Sequence, residues 1–209
     1  YTNEELLEMY RKAGGRFCMA YDAVVSLSGC GNHGLSVRSS DGSRVALELW
    51  MLDSGAYLPK EKGGENLNYE NVRPDQMDWM IRNYDVSVPS VVFQHITVPE
   101  IYNALFKDVK PRHTGRMIQN LAEGTYLLIP NLAVIDEGFI LERPCPGYYN
   151  TGQFERISVL NKCVDNGVKA IFTGHDHSNN YSVEYRGVNL VNTASVKPAE
   201  KLRDNINRG

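Results

Sequence analysis

Val168-Lys-Ala-Ile-Phe-Thr-Gly-His-Asp-His177 begins as a buried strand and ends in two histidines. The apolar run from Val168 to Thr173 is short and rich in residues that suit a covered strand. Before it, Phe154, Ile157, Leu160 and Val164 recur at helical spacing, which predicts a helix from a Thr151 cap to about Asn166, closed by Gly167. Helix, strand and polar strand end thus follow one another directly. The same pattern occurs upstream. Pro74 opens a helix with Met77, Met80 and Ile81 on one face, and the strand Val91-Val92-Phe93 ends in Gln94-His95. Alternation of helices with buried strands predicts an α/β fold of layered, mixed β-sheet flanked by helices. In such sheets ligands bind at the carboxyl ends of the strands, where both histidine-bearing segments fall.

The rest of the chain fits around this frame. Thr2-Asn3-Glu4-Glu5 has the form of a capping box, with a helix to about Ala13 and a stop at Gly14-Gly15. Residues 23–28 and 33–38 read as short strands. Asp41-Gly42 signals a hairpin into the apolar run Arg44–Leu52, which reads as a strand covered on both faces. A polar loop covers about 60–71, and a short helix is expected near Pro99. Residues 108–124 look like a polar excursion. A last hairpin turns at Arg186-Gly187, and the tail from Pro198 is polar.

Hydrophobic residues make up 42% of the 209 positions and charged residues 22%, values of a globular chain rather than a disordered one. The net charge of −3 lacks the basic footprint of nucleic-acid or polybasic membrane binding. Apolar runs are broken by Pro, Gly or charge before they reach the length of a bilayer span. Cys18, Cys30, Cys145 and Cys163 form no C-x-x-C pair, which argues against a cysteine zinc site and fits either redox compartment. The chain opens on Tyr1 and is expected to be an excised or processed piece, in which the absence of a signal peptide carries no information.

Five histidines are present: His33, His95, His113, His175 and His177. His175 and His177 lie two apart, so in extended backbone they project to one side and could converge on a metal. The alternative is a pair of histidines in a polar surface loop. Gly174 would allow a tight turn or close approach to a ligand. His95 alone would read as a hydrogen-bonded structural residue, but it joins a second strand end of the same kind. His113 sits among Lys110, Arg112 and Arg116 and reads as a solvated face. Asp53 could be a ligand or the turn former of Asp53-Ser54-Gly55.

Together these residues resemble the C-terminal half of a calcineurin-like metallophosphoesterase, most closely the purple-acid-phosphatase-like group. The matching stretches are Leu52-Asp-Ser-Gly55, Val72-Arg-Pro-Asp-Gln-Met-Asp-Trp79, Phe93-Gln-His-Ile96, Asn150-Thr-Gly-Gln-Phe154 and Val168 to His177, in the family's order. The resemblance implies that residues 1–209 are the C-terminal part of a single phosphoesterase domain. It implies two metal ions (Fe, Zn or Mn), with His95 and His175 on one and His177 on the other, and a phosphoester substrate. Asp176 is not a ligand in that pattern, and Gln76 and Trp79 match a packing helix. Two metals together clamp the attacking and leaving oxygens of a phosphoester.

The family's opening D-x-H and G-D-x-x-D/Y motifs are absent here. Asn32-His33 stands in a G-N-H-G string that mimics the next motif, but Gly34 replaces the acid, so neither residue is taken as a ligand or catalytic group. The implied activity is that of a phosphoric monoester hydrolase in the complete protein, with this piece alone a poor catalyst. The alternatives are an inactive family member or binding module, and a phosphodiesterase or pyrophosphatase on the same scaffold.

Overall fold

The computed structural model describes residues 1–57, 69–105, 110–111, 117–121, 124–127, 135–139, 147, 158–177 and 179–195. Its centre is a seven-stranded sheet. Strand β1 (His33–Arg38) pairs antiparallel with β2 (Val45–Met51) through the turn at Gly42, whose φ is 71°. A helix, α2 (Pro74–Asn83), then carries the chain to β3 (Ser90–Phe93), parallel to β2. After α3 (Ile101–Leu105) come four short strands: β4 (Lys110–Pro111), β5 (Met117–Leu121), β6 (Gly124–Leu127) and β7 (Ile135–Phe139). The first three of these make a small sheet of their own, in the order β4-β6-β5. The segment read as a polar excursion therefore contains strands.

Helix α4 (Val159–Asp165) leads into β8 (Ala170–Thr173), which lies parallel to β3. The hairpin β9 (Asn180–Tyr185) and β10 (Val188–Asn192) turns at Arg186-Gly187, with φ of 57° and 81°. These left-handed values suit a tight two-residue turn. The sheet order is β1-β2-β3-β8-β10-β9-β7.

Registration across the sheet explains the core. Trp50, Val92, Ile171, Leu190 and Val183 stand side by side in one row, and all are buried. Met77 and Met80 of α2 and Leu160 and Cys163 of α4 join the same core cluster. Each large side chain so buried contributes roughly 1.5–3 kcal/mol. Gly34 is required opposite Trp50, because a Cβ there would come within 2.7 Å of the indole. The indole meets the Trp79 ring edge-on at 5.4 Å.

The next row along is Met51, Phe93, Phe172 and Val191, and side chains alternate, so it points to the opposite face. There Phe93 stacks on Phe172 at 5.0 Å but stays 37% exposed. The expectation that residues 44–52 form a strand covered on both faces therefore holds for one face only. Helices α2 and α4 cover the Trp50 face, and the Met51 face is half-buried.

Two other expectations are corrected. Residues 23–28 form turns and not a strand. Asp75 accepts from the Ser28 N–H at 2.7 Å, and Leu27 N–H donates back to Val24 O at 3.0 Å. Helix α4 is capped by Ser158, whose Oγ accepts the Asn161 N–H at 2.9 Å; Thr151 and the rest of the expected first turns lie outside the described residues. Helix α1 (Asn3–Gly14) has the capping box expected from Thr2 and Glu5, and ends at Gly15. Among the described residues, no helix is long and apolar enough to cross a membrane.

Candidate functional site

Strands β2, β3 and β8 run parallel, so their carboxyl ends open on the same side. The ladder continues one step past the strands. Leu52 N–H donates to Phe93 O at 2.9 Å, Gln94 N–H to Phe172 O at 3.0 Å, and Gly174 N–H to His95 O at 3.0 Å. The last of these bonds ties the two histidine-bearing strand ends together. Ser54 Oγ, buried, accepts the Ile96 N–H at 2.9 Å and so fixes the turn after His95.

The result is a pair of imidazoles. His175 Nδ1 lies 3.4 Å from His95 Nε2, and the rings meet edge-on with centroids 5.2 Å apart. Burial, and secondarily the charge of His177, hold His95 below the ordinary imidazole pKa. The neutral ring is the form that ligates a metal. His177 itself is exposed, and its carbonyl accepts the Ser195 N–H at 3.1 Å. Among the described residues, no group of three or more His, Cys, Asp or Glu side chains is arranged to hold a metal ion.

The backbone here is not the extended strand that the two-residue spacing suggested. His175 has φ of 67°, Asp176 N–H turns back to Gly174 O at 2.7 Å, and Asn179 N–H donates to Asp176 O at 3.3 Å. Strict alternation of side chains is lost in such a turn. Asp176 is buried and its carbonyl accepts Asn192 Nδ2 at 3.1 Å. Gly174 takes part in this turn through its carbonyl, without a left-handed backbone of its own. A Cβ there would sit at an ordinary 3.6 Å from His95 Nδ1, and the left-handed residue is His175 instead.

A cleft of about 720 Å³ opens at these strand ends, with His95, Gly174, Asp53 and Phe93 on its wall and Leu6, Leu7 and Tyr10 of α1 along one side. Asp53 is the turn former. Its Oδ1 accepts the Gly55 N–H and its Oδ2 the Cys30 N–H, each at 2.9 Å. Asn32 is fully buried, and its Oδ1 accepts both Asp53 N–H at 3.0 Å and Gln76 Nε2 at 2.6 Å. Gln76, matched only as packing, is thus a hydrogen-bond hub that also donates to Asp53 O at 2.8 Å. His33 is buried too, with Nδ1 2.7 Å from Gly31 O and its ring against Tyr21. His113 lies outside the described residues.

Tyr69 was not singled out from the sequence. Its ring meets His175 edge-on at 4.1 Å. No periodicity or motif marks it, because it lies in the stretch that reads as a polar loop and meets His175 only through the fold.

Comparison with known proteins adds one finding. No family model matches the chain. In an alignment of 186 positions that covers 80% of its length, the chain is 26% identical to "Probable inactive purple acid phosphatase 14" of Arabidopsis thaliana. It spans only 38% of that protein. The similarity and the mixed, helix-flanked sheet are consistent with a metallophosphoesterase-like fold.

Proposed function

We propose that this chain is part of a phosphoester hydrolase of the purple-acid-phosphatase kind, and that His95 and His175 ligate one of its two metal ions. The observation that carries the reading is the 3.4 Å separation of the two ring nitrogens at adjacent parallel strand ends. Two nitrogens at ~2.1 Å from a tetrahedral ion stand about 3.4 Å apart. The donor pair therefore fits one cation with little rearrangement, and His177, two residues beyond His175, is assigned to the second. The ions supply Lewis acidity toward a phosphoryl oxygen. The chain's own share is to hold two imidazoles close together, favour the uncharged ring of His95, and offer a largely apolar cleft beside them. A complete dinuclear centre needs further donors beyond these histidines.

Titration of the chain with Zn²⁺ tests this. Wild type should bind, and His95→Ala and His175→Ala should each weaken binding at least about tenfold. Unchanged affinity in His175→Ala sinks the assignment. Hydrolysis of an aryl phosphate is measured on the complete protein. A second reading, a family member that binds without turnover, is favoured by one observation: the relative is itself named inactive. Tight Zn²⁺ binding without hydrolysis by the complete protein would select it. Turnover of a diester or a pyrophosphate instead would select the same scaffold acting on another bond.

A further inference from the structure

His175 stands in the left-handed region, with φ of 67°. Residues other than glycine seldom adopt it, and one that does is held there by its surroundings. Two rings flank the His175 imidazole. His95 lies at 5.2 Å with an interplanar angle of 82°, and Tyr69 at 4.1 Å with 77°. Edge-to-face packing is directional and favourable at centroid separations of roughly 4.5–7 Å; the His95 contact falls in this range, and Tyr69 presses closer still, which restricts the His175 ring sterically.

Tyr69 is itself fixed from several sides. The next residue, Glu70, gives its N–H to Ala56 O at 2.7 Å and accepts the Ala56 N–H on Oε2 at 3.2 Å. Its other carboxylate oxygen pairs with Arg73. Tyr69 bridges to Tyr57 on one side and to Gly147 on the other. Gly147 admits this approach because it has no side chain: a Cβ would fall 2.2 Å from Glu70 O. The Tyr57 ring rests against Tyr69 at 5.0 Å. Glu70 and Gly147 thus form a bracket whose product is one aromatic ring aimed at one imidazole.

The geometry points to Tyr69 as a positioning residue, whose ring holds His175 in its left-handed conformation against His95, so that the two nitrogens keep a separation one cation can span. The cation is taken from the proposed function, but the ring packing is not, and the two fail separately in the following experiment. Tyr69→Phe keeps the ring and Tyr69→Leu removes it. In the metal-free chain, NMR should show the His175 ring protons shifted by the neighbouring aromatic in wild type and in Tyr69→Phe, and moved toward free-histidine positions in Tyr69→Leu. Zn²⁺ affinity should fall roughly 10–100-fold in Tyr69→Leu, the usual cost of losing a partner that orients a ligand, and less than about threefold in Tyr69→Phe.

Unchanged His175 shifts and unchanged Zn²⁺ affinity in Tyr69→Leu overturn the positioning role. If Tyr69→Leu fails to fold, loss of the His175 shifts in a folded Tyr69→Phe overturns it equally. A wild-type chain that shows the ring shifts but binds no Zn²⁺ overturns the metal reading and leaves the packing role supported.

Discussion

Replacing Asn32 by Ala should unfold the chain more easily without touching the imidazole pair. Asn32 is fully buried, and its amide joins three segments. Removing it leaves the Asp53 N–H, one Gln76 N–H and the Ser28 carbonyl without the partners they now have at 3.0, 2.6 and 2.9 Å. A buried polar group stripped of its partner costs about 1–3 kcal/mol. Water entering the vacated space offsets part of this, so the lower end applies, roughly 3 kcal/mol for the three groups. At a urea slope of about 2–3 kcal/mol per M, the unfolding midpoint should fall by roughly 1–1.5 M. Urea melts followed by circular dichroism give this number, and Zn²⁺ titration of the folded variant gives the second. A midpoint within about 0.2 M of wild type, together with lost Zn²⁺ binding, would refute the reasoning and make Asn32 a site residue. A double-mutant cycle with Gln76→Leu should return a coupling of about 1 kcal/mol or more, because the two side chains share a bond.

Gly147→Ala should destabilise the Tyr69 bracket by about 2 kcal/mol or more, since the new methyl would meet Glu70 O at 2.2 Å; thermal melts read the loss. Cys163 is fully buried and its thiol is pushed up to about 12 by burial and then by Glu100, so alkylation at pH ~8 mapped by mass spectrometry should spare it until the chain unfolds, while the half-buried Cys18 reacts. Asp41 is held at about 2 by the Ser39 hydroxyl, then by the backbone and hydroxyl of Ser43. On acidification the unfolded carboxyl, at its ordinary 3.8, takes up its proton before the folded one does. The stability Asp41 adds is therefore complete above pH 3.8 and lost as pH falls through about 2. The gap between wild type and Asp41→Asn in urea should close over that window, and an NMR titration of the Asp41 carboxyl should give the low value directly.

Much of the frame is legible in the sequence because its causes are local. Gly42 and Gly187 mark hairpins through turn chemistry, and the Thr2–Glu5 box and the Met77/Met80 spacing mark helices. The strand-end histidines are legible too, since an apolar run followed by His needs no distant information. What escapes is set by partners far along the chain. Ala23-Val24-Val25 looks like strand, but Asp75, 47 residues beyond Ser28, holds this segment in turns. Ser158 and Thr151 are equally good caps by type, and Ser158 takes the role in α4 while also bonding Glu100. The left-handed backbone of His175 is not legible beside Gly174, because it is supported by rings from distant segments. Tyr69 and Gln76 gain their roles only when Gly55, Gly147 and Asn32 bring other segments against them.

The two imidazoles that meet are 80 residues apart in the chain, yet they stand at the ends of neighbouring strands. Everything between β3 and β8 is, from the standpoint of that meeting, a loop to be closed once. Closure entropy grows only with the logarithm of length, so doubling the intervening chain costs about 0.6 kcal/mol. Relatives could therefore lengthen, shorten or redecorate that stretch at small cost to the histidine separation, provided the Gly147 contact and α4 survive. A shift of one residue in the β3–β8 register is a different matter. It would turn Ile171 out of the core, bring Phe172 in, and carry His175 away from His95. Insertions between the strands are cheap, and slippage within them is not.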